Sequence, residues 1–159
     1  METESRMAKI FTVEYPILFS HCDPAGIAYF PRLFDLLHQA MEAWFNDGLD
    51  ERYADFLMKK RMGAPTVSMQ CDFISPAFFG DKLKIELSVV RIRNSAIDLA
   101  YHATIAERVC LKASHSICIF SLETYKAIPV PEALRERMQA FVAQTAETAP
   151  QTVPTASNP

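Results

Sequence analysis

The sequence predicts an α+β fold in which a curved antiparallel β-sheet wraps around one long central helix. Three observations carry this. Leu33, Leu36, Leu37, Ala40, Met41 and Trp44 form one stripe with the 3.6-residue period of a helix. The stretches after Gly63 alternate apolar and polar residues with the period of two that strands impose. Strands and helices do not take turns along the chain, as a parallel sheet would require.

The elements follow in order. Residues 1–8 read as a flexible N-terminus. Residues 9–19, KIFTVEYPILF, are β-branched and aromatic and predict a strand, with Pro16 of the edge type. After the corner HCDPAGIAYF, Pro31 suits the first helical turn, where its missing N–H has no partner to lose. Ile27, Ala28, Phe30, Phe34 and Phe45 spread apolar residues around the stripe, so the helix is expected to be buried. Asn46-Asp47-Gly48 reads as its stop. Residues 50–61, DERYADFLMKKR, predict a second, short helix with acids early and bases late.

In the strand over 67–73, Val67, Met69, Cys71 and Phe73 alternate with Ser68, Gln70 and Asp72. The strand over 82–93 puts Lys82, Lys84 and Glu86 on one face and Leu83, Ile85 and Leu87 on the other. Its phase slips near Val89-Val90, which predicts a bulge or a strong twist. Asn94-Ser95 reads as a tight turn. Residues 96–106 and 109–120 complete the sheet, with Ile97, Leu99, Tyr101, Ala103 and Ile105 in one phase. A helix is expected from Pro131 to about Gln144. Residues 145–159 are rich in Thr, Ala and Pro and predict a disordered tail. The organisation expected is one domain over residues 9–144.

Composition narrows the function. Of 159 residues, 50% are hydrophobic and 22% charged, as in a globular soluble domain. No apolar run is long enough for a membrane span, and METESRMAKI lacks the apolar core of a secretory signal. The four cysteines form no CxxC pair and read as reduced thiols, so a cytoplasmic location is expected. A net charge of −3 without a basic block argues against nucleic acid as partner. The four histidines have no HxH or HExxH spacing, so no metal is expected.

The corner HCDPAGIAYFPRLF places an acid, Asp23, on a Pro/Gly-shaped bend just before a helix. Unpaired N–H groups and a partial positive charge at a helix start can polarise a carbonyl oxygen, as an oxyanion hole does. A carboxylate opposite can attack the carbonyl carbon or activate a water that does. Either suits an activated carbonyl such as a thioester better than an amide. The plainer alternative is that Asp23 caps a turn and Gly26 only permits positive φ.

HCDPAGIAYFPRLFDLL, with the helical stripe after it, closely resembles the active-site segment of the hot-dog-fold acyl-CoA thioesterases. The 4-hydroxybenzoyl-CoA thioesterase family is nearest, through Cys22-Asp23-Pro24-Ala25-Gly26-Ile27 followed by Pro31. The similarity continues through GAPTVSMQCDFISPAFFGDKLKIEL and covers roughly residues 10–142. It implies that Asp23 is the catalytic carboxylate and that the backbone N–H of Phe30, beside Tyr29, polarises the thioester carbonyl. It implies CoA binding by Arg91, Arg93 and Asn94, and acyl contacts from His38, Ala64, Pro65 and Thr66. It further implies a homo-oligomer, dimer or dimer of dimers (a homotetramer), because two protomers share each site, and no cofactor beyond the CoA of the substrate. Two positions depart from the family. His38 stands where the hydroxybenzoyl enzyme has an acid, and Ala64 stands where the family has Thr. The substrate expected is an aroyl-CoA of the 4-hydroxybenzoyl or benzoyl kind. The alternatives are a short-chain aliphatic acyl-CoA thioesterase, a hot-dog enoyl-CoA hydratase using Asp23 with His38, and a non-catalytic acyl-CoA binder.

Other residues read more plainly. His21 and Cys22 are neighbours in an extended segment, point apart, and do not make a dyad. His115 falls on the apolar phase of its strand and is expected in the core or an interface. His102 is expected to be exposed. Lys82 and Lys84 read as a solvated face, and the seven methionines as adaptable packing.

Overall fold

A computed structural model describes residues 7–143. Of the flexible N-terminus read over residues 1–8, residues 1–6 lie outside the described residues, as does the disordered tail read at 145–159.

Strand β1 (Phe11–Pro16) leads through a short 3-10 turn and the DPAG corner into helix α1 (Phe30–Ala43). Pro31 sits in the first turn of α1, as its fixed φ favours. The helical path ends within the expected Asn46-Asp47-Gly48 stop, through one wide π-type turn, Trp44–Gly48, that keeps Trp44 and Phe45 in the core. The short helix α2 (Tyr53–Met58) is narrower than the charge pattern of residues 50–61. Strands β2 (Met62–Gly63), β3 (Thr66–Phe73), β4 (Lys82–Ile92), β5 (Ala96–Ile105), β6 (Arg108–Cys118), β7 (Phe120–Ser121) and β8 (Lys126–Ala127) follow. Helix α3 (Glu132–Gln139) closes the described chain and ends five residues before the expected Gln144.

The main sheet is antiparallel with the order β1-β4-β5-β6-β3. Its inward residues, Leu83, Ile85, Leu87, Val89, Ile97, Leu99 and Ile117, are fully buried in one core with Leu36, Leu37, Ala40 and Met41 of α1. This is the arrangement the sequence pattern predicts, one apolar helical stripe covered by the apolar face of a curved sheet, and it agrees with the hot-dog fold that the resemblance implies. The phase slip near Val89-Val90 is a bulge. Register breaks between Val89 and Arg91, and the strand re-aims its last residues.

Two features differ from the sequence reading. A separate small sheet, β2-β7-β8, fastens the loop before β3 to the segment after β6. Its strands are two residues long, too short to show any period. In β3, Val67 is exposed rather than inward, because β3 is an edge strand and its register shifts between Thr66 and Ser68. Among the described residues, no helix is long and apolar enough to cross a membrane.

Candidate active site

The corner is a tight hairpin. Asp23 N–H donates to the Ile27 carbonyl at 3.0 Å, Tyr29 N–H donates to the His21 carbonyl at 2.8 Å, and Cys22 pairs with Ala28. Gly26 supplies the positive φ, +75°, that the turn needs. The loop is anchored on the segment before β4, where Ala28 N–H donates to Ala77 and Phe79 N–H to Gly26. The Asp23 side chain uses one oxygen, Oδ1, to accept the Ala25 N–H at 2.8 Å. Among the described residues its other oxygen has no hydrogen-bond donor, and the residue is exposed. A turn cap therefore occupies only part of this carboxylate.

At the helix start, the two residues the resemblance pairs behave differently. The Tyr29 N–H is committed to His21, so it is not available to a substrate. The Phe30 N–H, at the first residue of α1, has no acceptor among the described residues. Helix geometry explains this, since the first N–H groups have no carbonyl one turn earlier. Phe30 is half exposed, and its ring packs edge-on against Tyr29, Phe34 and Phe73. A recess of about 230 Å³ lies beside it, lined by Ile27, Phe30, Leu33, Phe73, Ile74 and Pro76. Asp23 lines a neighbouring recess of about 430 Å³ with Phe19, Cys22, Pro24, Gly26 and Phe79. The hairpin arm around Ile27 divides the two.

The remaining expected site residues do not join this cluster within one chain. His38 lies two turns along α1 from Phe30, on the same face as Phe34, and pairs with Glu42 at 3.2 Å. Ala64 is buried, and the Pro65 carbonyl accepts the Cys118 N–H at 3.1 Å. Thr66 Oγ1 lies 2.8 Å from His115 Nε2. Thr66 and Phe73 stand at opposite ends of β3, about 23 Å apart at about 3.3 Å per residue.

Arg91, Arg93 and Asn94 are brought together where β4 turns into β5. Both arginines grip Asp98, Arg91 through Nε and Nη2 on Oδ2 and Arg93 through Nη2 on Oδ1. Ser116 Oγ donates to the same Oδ1 at 2.6 Å. Burial pushes the Asp98 carboxyl up, but these hydrogen bonds outweigh it and hold it below the usual carboxylate range. The cluster keeps one net positive charge, and Asp98 is a member that sequence reasoning missed. Its only signal was a polar residue between Ile97 and Leu99, which every alternating strand contains.

The arginine turn and Thr66 share one end of the sheet, since Thr66 pairs with Ile117 and Ile117 with Ile97. The Asp23 corner is at the other end, where Ile17 N–H donates to Asp81 just before β4 begins. Lys82 to Arg91 spans about 30 Å of strand. The expected residues thus form two half-sites at opposite ends of one protomer.

Other expectations are answered directly. His115 is buried, as its phase predicts. His102 is not free in solvent. It is half exposed and meets Glu86 at 3.3 Å. Lys84 lies on the outer face beside Glu86. His21 Nδ1 accepts the Leu18 N–H, and Cys22 Sγ donates to the Leu18 carbonyl, so the two side chains make no dyad.

Comparison with known proteins gives one consistent answer. Residues 17–138 match the model of a family described as the thioesterase-like superfamily. A 1,4-dihydroxy-2-naphthoyl-CoA hydrolase from Nostoc punctiforme is 32% identical over 110 residues, covering 69% of this chain and 74% of that protein. A solved 1,4-dihydroxy-2-naphthoyl-CoA thioesterase from Synechocystis superposes with a TM-score of 0.75 at 22% identity, over 82% of this chain and 96% of that one. A solved thioesterase-superfamily protein from a Jannaschia species superposes with a TM-score of 0.81 at 21% identity, over 90% of this chain and all of that one.

Proposed function

The chain belongs to the thioesterase-like superfamily and is a thioester hydrolase; from that premise we propose that it cleaves an aroyl-CoA to the free aromatic acid and CoA, with Asp23 as the catalytic carboxylate. The observation that carries the proposal is the corner itself. An exposed carboxylate with one unengaged oxygen lines one recess, and across the hairpin arm a helix start whose Phe30 N–H has no acceptor borders a second, aromatic-lined recess. The names of the Nostoc and Synechocystis relatives, which specify a bicyclic aroyl-CoA, support the aromatic substrate class.

In this reading the thioester oxygen accepts the Phe30 N–H, and the N-terminal end of α1 stabilises the negative charge that develops there. Asp23 either adds to the carbonyl carbon, expelling CoA thiolate and leaving an anhydride for water to open, or takes a proton from the attacking water. Phe30, Phe34 and Phe73 offer edges and faces to an aromatic ring lying along α1 toward His38. Phe30 to His38 covers about 12 Å of helix.

The two half-sites point to a shared site. The β3 edge is unpaired and largely exposed. Antiparallel pairing of two such edges about a two-fold axis sets Thr66 of each protomer opposite Phe73 of the other. It also carries each arginine turn toward the other protomer's Asp23 corner. A homo-oligomer with one active site per pair of facing half-sites follows, and the phosphates of CoA would meet Arg91 and Arg93.

The test is thiol release over a panel of aroyl- and alkyl-CoA esters, followed with a thiol-reactive dye. Aroyl esters are expected to react at least about tenfold faster in kcat/KM than alkyl esters. A preference for short alkyl esters would move the substrate to the aliphatic class. Binding of the esters without thiol release would remove the hydrolytic role of Asp23.

A further inference from the structure

The buried face of the sheet contains a hydrogen-bonded chain that the reaction as described does not use. His115 of β6 is almost fully buried. Its Nδ1 lies 3.0 Å from the Tyr101 hydroxyl of β5, and its Nε2 lies 2.8 Å from Thr66 Oγ1 of β3. Tyr101 is buried too and stacks against the imidazole. All three lie on the side of the sheet that faces α1, where His38 is close enough for its charge to be felt at His115.

Counting donors sets the direction of this chain. Burial holds the Tyr101 phenol protonated and holds His115 neutral, with a pKa lowered to about 4. The only partner of the Tyr101 hydroxyl among the described residues is His115 Nδ1. A buried O–H without an acceptor is costly, so the phenol donates to Nδ1. Neutral imidazole then carries its single proton on Nε2. That N–H donates to Thr66 Oγ1. The Thr66 proton cannot turn back toward Nε2 and must point away, out of the core. Thr66 is exposed, at the rim of the face that α1 covers.

We propose that Tyr101 and His115 are positioning residues that fix Thr66 as an outward hydrogen-bond donor, and that Thr66, reaching the facing protomer's acyl recess across the paired β3 edges, selects acyl groups carrying an oxygen acceptor on the ring. The proposal rests on the aroyl-CoA thioesterase reading and on its shared site. It assigns a new role to the two buried side chains and a polarity to the third. The acceptor class is a ring hydroxyl or methoxy oxygen. A bare benzoyl ring leaves the Thr66 proton unpaired, which is how a site built around a donor discriminates.

The experiment has two readouts on the intact protein. The first is the tautomer of His115, read from the long-range proton–nitrogen correlations of its ring. An unprotonated Nδ1 with a protonated Nε2 is expected, and a proton on Nδ1 overturns the proposal. The second is the ratio of kcat/KM for hydroxy- or methoxy-benzoyl-CoA over benzoyl-CoA at the preferred ring position. The ratio is expected to fall about tenfold in Thr66→Val, the factor one hydrogen bond supplies. Tyr101→Phe removes the donor to Nδ1, frees the tautomer, and is expected to lower the same ratio while benzoyl-CoA turnover stays near wild type. An unchanged ratio in Thr66→Val, at an exposed position where the fold tolerates Val, overturns the selective role. If the wild type hydrolyses none of the esters, the thioesterase reading itself fails and the selective role falls with it. Ester hydrolysis with an unchanged ratio sinks the proposal alone.

Discussion

His115 makes stability depend on pH in a way that can be worked from the structure. Burial, with a smaller contribution from His38, lowers its pKa from 6.5 to about 4. A base whose pKa is depressed on folding binds protons more readily when unfolded. Its contribution is therefore intact above about pH 6.5 and is lost progressively as pH falls toward about 4. Between pH 7 and pH 5 the linkage relation gives a loss of about 2 kcal/mol, and about 3 kcal/mol once both forms are protonated. The perturbation is His115→Gln, which keeps a hydrogen-bonding side chain but does not titrate. Urea unfolding at pH 7 and pH 5, for wild type and variant, cancels the background of carboxylates common to both. The wild type is expected to lose about 2 kcal/mol more than the variant over that interval. Equal losses would refute the reasoning, because they would mean that His115 charges freely inside the fold.

Further outcomes follow from the same geometry. Gly48→Ala sets a Cβ 2.6 Å from Trp44 Cδ1, against a ring that is fully buried, and should lower stability by about 1–3 kcal/mol in thermal or urea unfolding. Asp98→Asn removes the carboxylate that holds Arg91 and Arg93. It should tighten binding of free CoA about fivefold at low salt, read by calorimetry, and weaker binding would mean that Asp98 orders the arginines rather than competing for them. Mixing Asp23→Asn with Arg91→Ala/Arg93→Ala protomers after unfolding and refolding should restore about a quarter of wild-type turnover, since half the pairs are mixed and each holds one intact shared site. No recovery would place the whole site within one chain.

Much of the fold was legible because its signals are local and periodic. The α1 stripe, the alternating strands β4 to β6 and the slip at Val89-Val90 each follow from residues a few positions apart. The small sheet β2-β7-β8 was not legible, since two residues show no alternation and Met62 finds Ser121 only once the chain has folded. The stop at Asn46-Asp47-Gly48 was legible too, but the wide π-type turn that ends there was not, since the burial of Trp44 and Phe45 is not written in local spacing. At the candidate site, the spacing of Asp23, Gly26, Phe30 and Pro31 sufficed to suggest the corner. The commitment of the Tyr29 N–H to His21 depended on how the hairpin closed, which no spacing records. His115 was placed inward by phase alone, but its partners lie 14 and 49 residues away in sequence. Asp98 was hidden for the same reason: the arginines that define it arrive across a bulge and a turn.

Asp23 is proposed as the catalytic carboxylate of an aroyl-CoA thioesterase. The most direct measurement is kcat for the fastest aroyl-CoA ester, wild type beside Asp23→Asn, with the fold and CoA binding of the variant verified in parallel. Asn keeps the acceptor for the Ala25 N–H, so the turn is expected to survive. A fall in kcat of at least about 100-fold with KM little changed is the predicted result. A variant that turns over at close to the wild-type rate would remove Asp23 from the chemistry and leave it as a turn residue.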